Sequence, residues 1–214
     1  MGKRKYKKIL IFGGTGFLGK SLIKLLSKMD TQIILFTRKR SSENSIQEYN
    51  SNPNIKVVHW NFTNYQLIEE NILDSDCIIN LCGILYENKQ GDFFRVHSDF
   101  PALLGELSTK NKINKLIHVS ALGVSELSDS VYSRSKAIGE RKLIEKFPNA
   151  KILRPSLLFG KGDNFFGQFS QMACLSPFLP LISGTTKSHP VFIDDVAMSI
   201  INLVESTKYK HTTL

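Results

Sequence analysis

Lys8-Ile-Leu-Ile-Phe-Gly-Gly-Thr-Gly-Phe-Leu-Gly19 decides how the rest of the chain is read. Ile9 to Phe12 is a short apolar run of the kind that forms a strand buried on both faces. It breaks into a glycine-rich turn, after which Phe17, Leu18, Leu22, Ile23, Leu25 and Leu26 recur at helical spacing. A strand, a glycine turn and a helix in that order form a site for a diphosphate. Gly13 lets the chain turn sharply, Gly16 lets the backbone approach the anion, and Gly19 lets the helix pack closely on the sheet. The positive end of the helix then faces the phosphates, with Thr15, Phe17 and Leu18 completing the loop. Gly14, Gly16 and Gly19 satisfy the same spacing, so two registers of the turn stand open.

The rest of the chain alternates apolar runs with helical patterns. Strands are predicted at Gln32–Phe36, Ile55–Val58, Cys77–Leu81, Lys115–Val119 and Lys151–Leu153, with helices at about 64–72, 95–110 and 132–147. Residues 41–50 are polar and weakly periodic. This alternation predicts an α/β fold, a doubly wound parallel sheet with ligands bound beyond the carboxyl ends of the strands. After Pro155 the pattern loosens through Gly160–Gly167, Pro177, Pro180 and Gly184, then resumes with a strand at Val191–Ile193 and a helix from Asp194 or Asp195. Residues 1–155 therefore read as a dinucleotide-binding core. Residues 156–214 read as the start of a substrate-side region, packed on the same domain.

With 214 residues, 42% hydrophobic and 22% charged, the chain has the balance of a water-soluble globular domain. No apolar run approaches the ~18 residues needed to span a bilayer. The first strand begins so early that little room precedes it for a cleavable presequence. Cys77, Cys82 and Cys174 fit a reducing compartment better than a disulfide framework, and Cys77 and Cys82 bound an apolar run as core residues. A cytoplasmic setting is expected, with attachment to the periphery of an inner membrane as the alternative. The net charge of +9 is concentrated at Lys3, Arg4, Lys5, Lys7 and Lys8 and otherwise spread over helix faces. A solvated surface explains most of it. Nucleic acid is not expected, since no recognition helix or aromatic RNA-binding signature accompanies the charge. An anionic membrane surface or an acidic partner stays open.

The end of the second strand reads Phe36-Thr37-Arg38-Lys39-Arg40, with no acid before Glu43. A carboxylate there would bond the ribose hydroxyls of NAD and repel a 2′-phosphate. A guanidinium grips a phosphate through parallel hydrogen bonds. Arg38, with Lys39 or Arg40 beside it, therefore selects NADP(H), with NAD(H) the alternative. Asn61 stands where a polar side chain would reach the adenine, and Asn80, Cys82 and Gly83 would line the cofactor floor.

Tyr132-Ser-Arg-Ser-Lys136 opens a helix, and its spacing of four stacks the phenol and the ammonium on one face. An ordinary tyrosine, with a pKa of about 10, is a poor acid–base group near neutrality. A neighbouring ammonium is expected to lower it and to bond the nicotinamide ribose. Ser120, closing the fifth strand, is the substrate-anchoring hydroxyl, although its place directly after Val119 sets it deep; Ser125 is the poorer substitute. The five histidines show no metal-ligand spacing, and no metal site is expected. Asp194 and Asp195 read as helix-start acids. Arg154 is placed to meet the cofactor. Phe165, Phe166, Phe169, Met172 and Phe178 form an apolar cluster.

These motifs resemble the extended and atypical short-chain dehydrogenase/reductase superfamily. The resemblance rests on Phe12–Gly19, Asn80-Leu-Cys-Gly-Ile-Leu-Tyr86, Leu116-Ile-His-Val-Ser-Ala-Leu-Gly123 and Tyr132–Lys136. It continues through Ile152-Leu-Arg-Pro-Ser156, Phe159-Gly160 and Pro190-Val-Phe-Ile-Asp-Asp-Val-Ala197. Within that superfamily, the chain resembles the branch containing the nucleotide-binding accessory subunit of NADH:ubiquinone oxidoreductase (complex I). That resemblance implies a Rossmann domain, bound NADP(H), respiratory-complex partners, and a structural or assembly role. It equally implies two rivals: a working oxidoreductase using Tyr132, Lys136 and Ser120 on a quinone precursor, and an NADP(H) redox sensor. Relatives of this type continue for roughly another hundred residues of substrate-covering domain.

Overall fold

The first strand fixes the sheet. In β1 (Lys8–Phe12), Ile9, Leu10, Ile11 and Phe12 are all fully buried, which is why the run is apolar throughout rather than alternating. The computed structural model describes residues 6–38, 43–62, 64–163, 189–206 and Thr213, without the side chains of residues 43–45 and 48. Lys3, Arg4, Lys5, Lys39, Arg40, Cys174 and the phenylalanines at 165, 166, 169 and 178 lie outside the described residues, as does Met172.

The chain proceeds through α1 (Phe17–Leu26), β2 (Gln32–Thr37), α2 (Glu43–Asn50), β3 (Ile55–His59), α3 (Gln66–Ile72) and β4 (Cys77–Asn80). A short α4 (Asp92–Phe94) runs through one π turn (Arg95–Asp99) into α5 (Phe100–Lys110), followed by β5 (Lys115–Val119), α6 (Val131–Lys146) and β6 (Lys151–Leu153). Two two-residue strands, β7 (Leu158–Phe159) and β8 (Val191–Phe192), pair beside the main sheet and lead into α7 (Ile193–Glu205). The six main strands are parallel and ordered β3-β2-β1-β4-β5-β6. This is the predicted doubly wound Rossmann sheet, and its order reverses between β1 and β4, where a ligand crevice opens. One face, with Ile9, Ile11, Ile33 and Leu35, packs on Leu22, Ile23 and Leu26 of α1 and Val196, Ile200 and Val204 of α7. The other, with Leu10, Phe12, Ile34 and Phe36, packs on Phe100, Leu104 and Leu107 of α5 and Leu143 of α6.

Several boundaries differ from the sequence reading for local reasons. Residues 43–50 are helical despite their polarity, because Tyr49 supplies a buried anchor. The last helix begins at Ile193, which places both Asp194 and Asp195 in its first turn, where carboxylates suit the helix dipole. The predicted helix over 95–110 is not uniform. Pro101 has no N–H to give the carbonyl four residues back, that of His97, and the ring crowds it. The chain widens instead, and the Phe100 N–H bonds the Arg95 carbonyl five residues back. The buried Gly139 of α6 sits against the His97 carbonyl.

Lys115 closes the far end of α7. Its Nζ donates to the carbonyls of Leu203, Val204 and Ser206 at 2.6, 2.8 and 2.6 Å. It also lies 5.0 Å from the Tyr6 ring centroid. A cation on a helix's last carbonyls satisfies groups that would otherwise lack donors. Lys115→Met is expected to cost about 2 kcal/mol, read as a melting temperature lower by about 5 °C. An unchanged melting temperature would show that this capping adds nothing.

Candidate functional site

The glycine turn resolves to one register. Gly13 sits at φ +78°, and a Cβ there would meet the Leu81 carbonyl carbon at 2.9 Å. A Cβ on Gly14 would strike the side chains of Leu35 and Ile23, so Gly14 faces the core. A Cβ on Gly16 would have one near neighbour, the Gly13 carbonyl at 3.2 Å, leaving that face free for a ligand. Gly19 has the Gly14 backbone within 2.4 Å of its ideal Cβ, which is close helix–strand packing. Gly13 therefore makes the sharp turn and Gly19 the close helix–strand packing, with Gly16 open-faced between them. Gly16 is the N-cap of α1, and no side chain caps it, so the first N–H groups of the helix stay available to an anion.

A cavity of about 230 Å³ opens at this turn, lined among others by Thr15, Gly16, Arg38, Cys82 and Gly83. Arg38 is exposed at the end of β2, and the Thr15 and Thr37 hydroxyls meet at 3.4 Å beneath the turn. Sequence reading missed the opposite wall. Phe36, Trp60 and Phe62 line it, with Phe12 stacked on Phe36 at 4.5 Å and Trp60 on Phe100 at 4.9 Å between centroids. Aromatic residues closing β2 and following β3 were the available signal. Asn61, between Trp60 and Phe62, is exposed and does not line the cavity; its Oδ1 accepts the Asn64 N–H at 3.0 Å.

Asn80 lies beneath the floor. Its Oδ1 accepts the Cys82 N–H at 3.0 Å, and its Nδ2 lies 3.2 Å from His118 Nδ1, so it shapes the turn that presents Cys82 and Gly83. Burial pushes the Cys82 thiol up to about 12, against the opposing charges of Arg38 and Lys136. An inert floor residue results.

Beyond Gly83 stand Tyr132 and Lys136. The Ser130 Oγ caps α6 by accepting the Ser133 N–H at 3.4 Å, which places Tyr132 in the first turn. The Lys136 Nζ lies 5.6 Å from the Tyr132 ring centroid and 3.7 Å from an ideal Cβ on Gly83. Lys136 is 4% exposed and makes no hydrogen bond or ion pair among the described residues. Burial lowers its pKa from 10.5 to about 8, while Glu140 and Cys82 oppose the fall. The expected lowering of the phenol is not found in the free site. Burial raises the Tyr132 pKa, and the ammonium lies over the ring, 5.6 Å from its centroid. Ser120 is buried at 5% and its Oγ has no partner among the described residues, so it is as deep as its place in β5 suggests. Ser125 Oγ is engaged by the Leu127 N–H. Arg154 turns to α6, where its Nε donates to both carboxylate oxygens of Glu140 at 3.0 and 3.1 Å.

His97 was also missed. It carries two hydrogen bonds between the floor turn and α6, and its position on the π turn is invisible to simple helical periodicity.

None of the described helices is long and apolar enough to cross a membrane. A profile of the NAD dependent epimerase/dehydratase family matches residues 9–211. The chain is 32% identical over 197 residues to "NADH dehydrogenase [ubiquinone] 1 alpha subcomplex subunit 9, mitochondrial" of Dictyostelium discoideum, covering 92% of this chain and 55% of that one. It is 31% identical to the protein of the same name from Mus musculus, covering 90% and 52%. The chain thus spans about half the length of these curated relatives, which belong to the branch its motifs resemble. Among solved structures, the dTDP-glucose 4,6-dehydratase of Bacillus anthracis in complex with NAD shares the fold, with a TM-score of 0.81 at 21% identity, covering 97% of this chain and 74% of that one. Glycine turn, sheet order and profile agree: the chain belongs to the NAD dependent epimerase/dehydratase family.

Proposed function

We propose that this chain binds a nicotinamide dinucleotide, NADP(H) in preference to NAD(H), and serves as the nucleotide-binding part of an accessory or assembly subunit of a respiratory NADH:ubiquinone oxidoreductase. One observation carries the nucleotide reading: the uncapped start of α1, with Gly16 open before it, faces a cavity whose rim holds Arg38. The amides of the turn would hold the diphosphate. Arg38 would take the 2′-phosphate, and Phe36, Trp60 and Phe62 would flank the adenosine half. The mitochondrial subunits matched over nine-tenths of this chain support the respiratory reading. Lys7 and Lys8, with the basic residues before them, would serve attachment to an acidic neighbour or a membrane surface.

Calorimetry with NADPH and NADH tests the pocket directly, and heat from neither would end the proposal. Arg38→Ala is expected to weaken NADPH about tenfold to a hundredfold by removing charge-assisted hydrogen bonds, while NADH binds as before. Equal losses would remove the 2′-phosphate assignment.

A second reading, a working oxidoreductase, is favoured by the buried Lys136 ammonium, which has no hydrogen bond or ion pair among the described residues. When bound, the dinucleotide supplies hydride transfer. Lys136 would hold the nicotinamide ribose, Tyr132 would pass the proton to or from a substrate oxygen, and Ser120 would bond that oxygen. Tyr132→Phe separates the two readings. Turnover lost with respiratory-membrane association kept supports an enzyme; no turnover in either form, with co-purification of the complex, supports the accessory role. A sensor would bind NADP(H) and show neither.

A further inference from the structure

We infer that His97 is the positioning residue of this site: its imidazole pins the Gly83–Ile84 turn, which lines the dinucleotide cavity, to the first two turns of α6, which carry Tyr132 and Lys136. The inference rests on the nucleotide reading above and extends it to a residue with no assigned part. His97 is 1% exposed. Its Nε2 lies 3.0 Å from the Ile84 nitrogen, and a backbone N–H can only donate, so Nε2 is the acceptor and carries no proton. The proton of the neutral ring is then on Nδ1, which donates to Ser135 Oγ at 3.0 Å. The Ser135 hydroxyl in turn donates to the Tyr132 carbonyl at 2.8 Å. One chain of donors runs from the cavity floor to the backbone of the tyrosine.

Packing holds the ring in that plane. Phe93 stacks on it at 5.4 Å and Tyr132 meets it edge-on at 5.3 Å between centroids. The charged and titratable groups that face it are Lys136 and Tyr132 of α6 and His118 of β5. Burial and the Lys136 ammonium lower its pKa to about 3, so the ring is neutral at pH 7 and Nε2 keeps its lone pair. The π turn sets the ring there: Pro101 breaks the regular bonding, and Gly139 fixes the His97 carbonyl against α6. An ideal Cβ on Gly83 lies 3.9 Å from His97 Nε2 and 3.7 Å from Lys136 Nζ, so the pinned turn, the imidazole and the ammonium share one corner.

The first test uses the parent chain with 15N-labelled histidine. A long-range 1H–15N spectrum at pH 7, with the His97 signals identified by their loss in His97→Gln, is expected to show Nδ1 protonated and Nε2 bare. A proton on Nε2 would overturn the inference. The second compares His97→Phe, which keeps an aromatic ring and loses both hydrogen bonds, with His97→Gln, which keeps an acceptor and a donor. With the turn in its binding arrangement only a tenth of the time, His97→Phe should weaken NADPH about tenfold in calorimetry, and His97→Gln should recover most of that loss. Phe binding like the parent, or Phe and Gln losing equally, would show that the ring only fills space. If the parent gives no heat with NADPH, the nucleotide reading fails while the imidazole spectrum still decides the pin.

Discussion

Gly139→Ala should lower the melting temperature of this chain by about 10 °C, corresponding to 3 kcal/mol or more. The added Cβ would stand 1.7 Å from the His97 carbonyl oxygen, 2.8 Å from its carbon and 3.0 Å from the Ser98 Cα. All three obstacles are backbone, so no rotamer change relieves them. Relief requires α6 to move away from the π turn, which drags Leu143 out of its place against the sheet and separates His97 from Ser135. Without a side chain, Gly139 turns a Cα hydrogen toward a carbonyl that Pro101 has deprived of its helical donor, a weak but recurring contact. Gly83→Ala provides the matched control at the same corner. Its Cβ would meet only the ends of two side chains at 3.7 and 3.9 Å, which is ordinary contact, and stability should stay within about 1 kcal/mol. Thermal unfolding followed by circular dichroism reads both. A Gly139→Ala chain melting within 2 °C of the parent would mean that α6 is not seated on the π turn.

The sequence carried the sheet because parallel strands covered on both faces are unbroken apolar runs, as Ile9–Phe12 and Cys77–Ile79 are. It carried the glycine turn as well, though not its register: Gly13 and Gly14 are distinguished by their neighbours Leu81, Leu35 and Ile23, which are distant in sequence. The aromatic wall was hidden for a related reason. Phe36, Trp60 and Phe62 lie on separate segments, and only the β3-β2-β1 order brings them to one cavity. His97 was hidden by the π turn, which shifts the helical phase in the stretch containing it. Pro101 inside a predicted helix was the legible sign of that shift. Tyr132 and Lys136 were legible through their spacing, whereas the charge state of the pair was not. Burial decides it, raising the phenol where the neighbouring ammonium was expected to lower it.

That burial makes Lys136→Met a change that should stabilise the free chain while disabling its site. The ammonium titrates at about 8 in the folded chain against 10.5 when solvated, a difference worth roughly 3 kcal/mol. Between those two pH values the folded chain binds fewer protons than the unfolded chain, so this group makes stability rise as pH increases from about 8 to 10.5. Below pH 8 its destabilising contribution is present in full. Methionine fills similar space without charge, and Glu140 keeps its bonds to Arg154, so no new buried ion is left behind. The variant should therefore gain up to about 3 kcal/mol at pH 7 and lose the rise between pH 8 and 9. Cys77 and Cys82, both pushed up to about 12 by burial, act in the opposite direction above 9.0, so parent and variant are best compared between pH 7 and 9. NADPH affinity should fall about tenfold or more with the loss of a charged donor. Urea titrations at pH 7, 8 and 9 with calorimetry alongside separate the two effects. A variant less stable than its parent would make the ammonium a structural partner, and it would then have no claim on the nucleotide.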